Sequence, residues 1–274
     1  MFWKGRQGSS NVDDRRGVSG GGLAVGGGIG GVIIALIYMF LGGDPSQLPQ
    51  VSQGSGSSRE MNAEEKAEDD SIAQFTKVVL EYTEEVWPKL LPGYEKPTLV
   101  LFRDGTQSGC GNATSAVGPF YCPADRKVYI DLAFFKELRD RFGAPGDFAM
   151  AYVVAHEVGH HVQNLMGTSE KMERMRSQLS ETDYNKLSVK LELQADFYAG
   201  VWANHAQQMS KILEPGDIEE ALNAANAIGD DRLQKETQGR VVPDAFTHGT
   251  SEQRMYWFKK GFETGDVKQG NTFE

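Results

Sequence analysis

The sequence predicts an α+β domain, strands first and helices after, and three observations carry that reading. Two short β-rich apolar runs, TLVLF (98–102) and KVYID (127–131), lie in the first half of the chain. A stretch rich in Gly, Asn, Ser and Pro separates them and accommodates a hairpin, with a short strand at about 113–121. From Asp147 onward apolar residues recur at helical spacing almost without a break. Helices therefore follow a small sheet instead of alternating with its strands, which argues against a doubly wound fold.

The elements follow in chain order. Residues 23–41, LAVGGGIGGVIIALIYMFL, carry no charge and are long enough to cross a bilayer. Lys4, Arg6, Arg15 and Arg16 precede this run and Asp44 follows it, so the positive-inside bias puts residues 1–22 in the cytoplasm and the bulk of the chain outside. The run also reads as the apolar core of a cleaved signal peptide, with Arg15-Arg16 mimicking a twin-arginine signal. Residues 42–70, rich in Gly, Ser, Pro and then acidic groups, read as a disordered linker. The folded domain is expected over 71–265, with a polar tail at 266–274.

Within the domain, Ile72, Phe75, Val79, Tyr82 and Val86 recur every three or four residues, an amphipathic helix over 71–91 stopped by Pro92-Gly93. Another helix is predicted from Asp147, taken as its N-cap, to a stop at Gly167. NKLSVKLELQADFYAGVWA (185–203) forms a third, with Leu187, Leu191, Ala195, Tyr198 and Trp202 as its core stripe. Thr250-Ser251-Glu252-Gln253 fits a capping box that opens the last helix.

Composition narrows the function classes. The chain has 274 residues and a net charge of −10, and it lacks a Lys/Arg cluster with interleaved aromatics, so nucleic-acid binding is not expected. It has five histidines, and three of them stand in one helix, at 156, 160 and 161. Two cysteines, Cys110 and Cys122, would be free thiols in the cytosol and a short-loop disulfide in an oxidising compartment.

His156 and His160 are four residues apart and share a helix face, the spacing that offers two imidazole nitrogens to a tetrahedral Zn²⁺. Glu157 lies one step round, placed to hold a water without ligating the metal. Gly159 leaves room for close approach of another segment, and His161 points away from the 156/160 face. By itself the five-residue pattern recurs by chance. Glu192 and Asp196 supply the second half: two acids on one side of an apolar helix, which are expensive to bury unpaired. Packed on the first helix, Glu192 completes a His₂Glu ligand set and Asp196 accepts a hydrogen bond from a ligand imidazole. His205 falls on another helix face and reads as structural or exposed.

HEVGH followed by ELQAD looks like the gluzincin pattern. The surrounding words VVAHEVGHHVQNLMG, LELQADFYAGVWA and DAFTHGTSEQR, with the N-terminal MFWKGRQGSSNVDDRRG, resemble the bacterial neutral zinc metallopeptidase family over nearly the whole chain. The resemblance implies a zincin-like metallopeptidase domain with one Zn²⁺ held by His156, His160 and Glu192. Glu157 is then the catalytic carboxylate, and hydrolysis of peptide or protein substrates, by an endopeptidase, the expected activity. It also suggests an active-site role for His248 as an oxyanion stabiliser, against a surface or capping role. Asn112-Ala113 resembles the edge-strand motif of thermolysin-like enzymes, against a merely structural hairpin. With the N-terminal run as a single-pass anchor, the expected location is the bacterial inner membrane, the domain extracytoplasmic and Cys110 bonded to Cys122. Two further readings stay open: a membrane-anchored zinc-binding scaffold without hydrolytic activity, and a tethered adaptor with no metal.

Overall fold

Alternation of apolar side chains in the β-rich runs decides how the sheet is buried. The computed structural model describes residues 1–17 and 61–274. In chain order these form β1 (Val12–Asp14), α1 (Ala63–Leu90), β2 (Thr98–Phe102), β3 (Gly105–Ser108), β4 (Gly111–Thr114), β5 (Phe120–Cys122) and β6 (Lys127–Asp131). The helical part then follows: α2 (Ala133–Asp140), α3 (Asp147–Leu165), α4 (Thr168–Arg176), α5 (Glu181–Ser210), α6 (Asp217–Ala227), α7 (Asp230–Gln238) and α8 (Ser251–Thr264). The architecture is α+β, with small sheets and a mostly helical remainder.

One sheet has the order β1-β2-β6-β5, with β1 and β6 parallel to β2 and β5 antiparallel to β6. Leu99, Leu101, Val128 and Ile130 point to the main core beneath α1 and α3. The alternate residues Val100, Phe102 and Tyr129 build a smaller cluster with Cys122 on the other face. β3 and β4 form a separate antiparallel hairpin, tied to β5 by a disulfide between Cys110 and Cys122.

Among the described residues no helix is long and apolar enough to cross a membrane, and the run at 23–41 lies outside them. The expected placement, a single-pass inner-membrane protein with residues 1–22 on the cytoplasmic side of an extracytoplasmic domain, is corrected here. Val12, Asp13 and Asp14 pair in register with Leu99, Val100 and Leu101, so the N-terminal residues belong to the domain's own sheet. One membrane crossing between them would put two strands of one ladder on opposite sides. Trp3 packs edge-on against Phe75 of α1, and Ser9 and Asn11 donate to the Glu84 carboxylate.

The linker expectation also shortens. Residues 42–60 lie outside the described residues, but 63–70 are the first turns of α1, opened by a capping box between Asn62 and Glu65. The acidic run gains partners that composition does not reveal: Asp69 pairs with Arg16 and Arg103, and Lys66 with Asp70. At the other end, residues 266–273 pack along α5, with Thr272 buried and its hydroxyl donating to the Lys190 carbonyl. These residues are part of the packed domain, because backbone carbonyls of the segment satisfy side chains of α5.

The helices that carry the site are brought together by glycines. Gly159 of α3 faces the backbone of α5, where an added Cβ would stand 2.9 Å from the Ala195 carbonyl oxygen. Gly200 of α5 and Gly261 of α8 meet at a still tighter crossing. α3 starts one residue earlier than expected: Gly146 is its N-cap and Asp147 its first residue, and the Glu220 carboxylate accepts from the Phe148 N–H. Thr250 and Gln253 form the capping box of α8.

Candidate metal centre

The four-residue spacing on α3 sets His156 and His160 side by side, their ring nitrogens Nε2 3.2 Å apart. The close crossing at Gly159 brings Glu192 of α5 against them. Its Oε2 lies 3.1 Å from His156 Nε2 and its Oε1 3.4 Å from His160 Nε2. Ligands about 2.0–2.1 Å from a tetrahedral zinc stand about 3.3 Å from each other. The three observed separations have that size.

The hydrogen bonds behind these atoms show which lone pairs face inward. His156 Nδ1 is 2.8 Å from Asp196 Oδ1. Asp196 is fully buried and stays ionised because Arg254 binds it through Nε at 2.8 Å and Nη2 at 3.0 Å. Burial alone would raise the Asp196 pKa; the Arg254 and His156 charges outweigh it and hold the carboxyl at about 2. A neutral His156 therefore keeps its proton on Nδ1 and turns a bare Nε2 to the centre. His160 Nδ1 meets Gln163 Oε1 at 2.8 Å. The Gln163 amide orientation is settled because its nitrogen donates to the Leu191 carbonyl oxygen at 2.7 Å. His160 Nε2 is bare for the same reason.

With both imidazoles neutral, two lone pairs and a carboxylate converge, an arrangement that calls for positive charge among them, a proton on His156 or a metal ion. The electrostatics point the same way. Burial works against a charge on His156, yet Asp196 and Glu192 push its pKa up to about 10. Burial likewise opposes ionisation of Glu192, and the nearby histidines 160, 248 and 156 hold it well below the usual carboxylate range. The donor chemistry, two nitrogens and one carboxylate oxygen, suits Zn²⁺. A second set of converging acids, Asp147, Asp217 and Glu220, has no histidine, and the Met1 ammonium donates to Asp147 and Asp217.

Glu157 is 7% exposed, and among the described residues no group hydrogen-bonds to its carboxylate. Burial pushes its pKa up, against the pull of His156 and His160. It faces a cleft of about 540 Å³, which His156, His160, Glu192, His248 and Arg254 also line. β5 borders this cleft through Phe120 and Tyr121, as the terminal strand of its sheet. Asn112 and Ala113 lie in β4, paired with β3, and are not among the lining residues; the strand beside the site is β5.

His248 reaches the cleft because Asp230 shapes its loop. One carboxylate oxygen, Asp230 Oδ2, accepts the backbone N–H groups of Thr247, His248 and Gly249. The other lies 3.4 Å from His248 Nδ1. Burial disfavours a charged His248, but Glu192 and Asp230 outweigh it and raise its pKa. His161 serves the scaffold: its Nε2 donates to the Glu95 carbonyl, and its Nδ1 accepts from Tyr121, whose hydroxyl also accepts from Asn164. His205 Nε2 donates to the Gly265 carbonyl.

Arg254, Tyr152, Gln163 and Asp230 escape a reading of the sequence. Each acts through a residue distant in the chain, and a lone Arg or Gln has no spacing signature. Asp196 gave the one available hint, since a buried acid needs a cationic partner, but nothing in the sequence selects Arg254 among the arginines.

A profile of the family described as "Putative neutral zinc metallopeptidase" matches residues 1–273. An Escherichia coli strain K12 protein titled "Uncharacterized protein YpfJ" is 48% identical over 284 residues, covering 100% of this chain and 99% of the relative. A Mycobacterium tuberculosis strain H37Rv protein titled "Uncharacterized protein Rv2575" is 48% identical over 198 residues, covering 69% of this chain and 66% of the relative. No solved structure matches the chain. With the match running almost end to end, the chain belongs to the family described as "Putative neutral zinc metallopeptidase".

Proposed function

We propose that the protein is a zinc-dependent peptidase with a zincin-like catalytic domain, acting on peptide or protein substrates. The observation that carries this reading is the convergence of His156 Nε2, His160 Nε2 and the Glu192 carboxylate beside the buried carboxylate of Glu157. His156, His160 and Glu192 would hold the metal. When bound, Zn²⁺ supplies Lewis acidity that polarises a scissile carbonyl and acidifies water.

This chain's own residues supply the rest. Glu157, with no competing hydrogen bond among the described residues and a raised pKa, takes the proton of the attacking water and returns it to the leaving amine. Asp196 and Gln163 hold the ligand imidazoles in the tautomer that faces the centre. His248, whose pKa is raised beside Glu192 and Asp230, lines the cleft where it would donate to the carbonyl oxygen as negative charge develops there. β5 borders the cleft as a terminal strand, so a peptide added along it would be read through its backbone, which favours an endopeptidase over an enzyme that grips a chain end. A metal held by His156, His160 and Glu192 alone would have fewer protein ligands than the four usual at a structural zinc, which favours catalysis over a structural role.

A peptide-library digest with the zinc-loaded protein and its Glu157→Gln variant tests the reading. Cleavage by the wild type, lost on chelation and absent in Glu157→Gln, is expected. Cleavage by Glu157→Gln at the wild-type rate would remove Glu157 from the mechanism; zinc uptake without any cleavage would favour a non-hydrolytic zinc protein.

A further inference from the structure

The two histidines of the proposed metal site are steadied on their outer nitrogens by different parts of the chain. Asp196 serves His156. For His160 the support runs further, through two buried amides to the C-terminal segment. Gln163 Oε1 faces His160 Nδ1 at 2.8 Å, and Gln163 Nε2 donates to the Leu191 carbonyl at 2.7 Å and to Gln194 Oε1 at 3.1 Å. Gln194 Nε2 in turn donates to the Gly270 carbonyl at 2.7 Å. Gln163 and Gln194 are 0% and 7% exposed, so water does not substitute for these bonds freely.

The direction of the chain follows from its far end. A backbone carbonyl only accepts, so Gln194 must turn its NH₂ to Gly270 and its oxygen to Gln163. Gln163 must then donate to Gln194 and present its oxygen to His160. That oxygen demands a proton on His160 Nδ1 and leaves Nε2 bare for the metal. The Gly270 carbonyl is held in place in turn. Its residue lies against the Phe197 ring, where an added Cβ would stand 2.5 Å from a ring carbon, and Lys190 donates to the Phe273 carbonyl at 3.0 Å.

We propose that the C-terminal segment 266–273 is a positioning element of the metal site, acting on His160 through Gln194 and Gln163. The proposal rests on the metal reading above. The test uses the full-length protein and two readouts: zinc affinity by competition with a chromophoric chelator, and the ¹⁵N–¹H ring correlations of His160, which report its tautomer. Gln163→Leu is expected to weaken zinc binding by about 10–100-fold and to lose the Nδ1-protonated tautomer. Gly270→Ala, which displaces the segment without touching α3, should change both readouts in the same direction by less. Gln163→Glu keeps an acceptor toward His160 but loses the donor to the Leu191 carbonyl and Gln194 Oε1, so it should recover only part of the tautomer that Gln163→Leu loses. A folded Gln163→Leu protein with wild-type zinc affinity and tautomer would overturn the proposal while leaving the metal site standing. Unaltered readouts in Gly270→Ala would confine the relay to Gln163 and remove the segment from it. A wild-type protein that takes up no zinc would instead overturn the metal reading, and this proposal with it.

Discussion

Replacing Arg254 with methionine should destabilise the protein more than any surface charge deletion. The Arg254 side chain is 2% exposed and its partner Asp196 0%. The guanidinium makes two bonds to that carboxylate, at 2.8 and 3.0 Å, and one to the Tyr152 hydroxyl at 3.1 Å. Methionine matches the aliphatic stem but leaves Asp196 charged, buried and dependent on Tyr152 and His156 alone. Removing one member of a buried pair costs about 3–5 kcal/mol. Because two donors to Asp196 remain, the lower end applies, about 3 kcal/mol, or a fall in Tm of roughly 6–12 °C for a domain of this size. Calorimetry on chelator-treated protein measures this without a contribution from bound metal. Adding Asp196→Asn to Arg254→Met should recover part of the loss, since no charge is then left unpaired. A single Arg254→Met variant within about 1 kcal/mol of wild type would refute the claim that this pair is what keeps Asp196 ionised in the core.

Three further outcomes are expected. Gly159→Ala places a methyl 2.9 Å from the Ala195 carbonyl oxygen, so α3 and α5 must separate; a loss of about 1–3 kcal/mol and weakened zinc binding should appear together in unfolding and chelator-competition measurements. Reducing the Cys110–Cys122 bond, which closes a loop of sequence separation 12, should lower stability by about 3 kcal/mol, read as a drop in the urea midpoint on adding a reductant. Arg16 holds the Asp14 carboxyl at about 2, against the opposing effect of burial, so its folded pKa is depressed. That contribution is present above the ordinary carboxylate pKa near pH 4 and disappears as pH falls toward 2, and solvent screening keeps it to about 1 kcal/mol or less. Acid titration followed through Trp3 fluorescence, with Trp3→Phe as the reference, should show the N-terminal strand loosening across that window.

The strands at 98–102 and 127–131, and the helices around 72–86, 147–165 and 185–203, were legible because their apolar periodicity is strong. His156, His160, Glu192 and Asp196 were legible for a related reason: helical spacing fixes which residues share a face, and two half-patterns that each lack a partner point to one another. The N-terminal strand was not, because Val12–Asp14 is three residues of mostly polar sequence whose partner lies more than eighty positions away. Its arginines suggest a charge bias when read alone, whereas in the fold they neutralise Asp13, Asp14 and Asp69. The acidic turns of α1 were hidden by the same pairing. Gln163 and Gln194 carry no local signal, because their work is defined by carbonyls of residues 191 and 270.

Metal content of the purified full-length chain, compared with Glu192→Ala and Glu157→Gln, tests the central claim most directly. Elemental analysis should find one zinc per chain in the wild type and in Glu157→Gln, and none retained by Glu192→Ala after dialysis. A Glu192→Ala protein that keeps its zinc, or a wild type that never acquires it, would contradict the assignment of His156, His160 and Glu192 as the metal ligands.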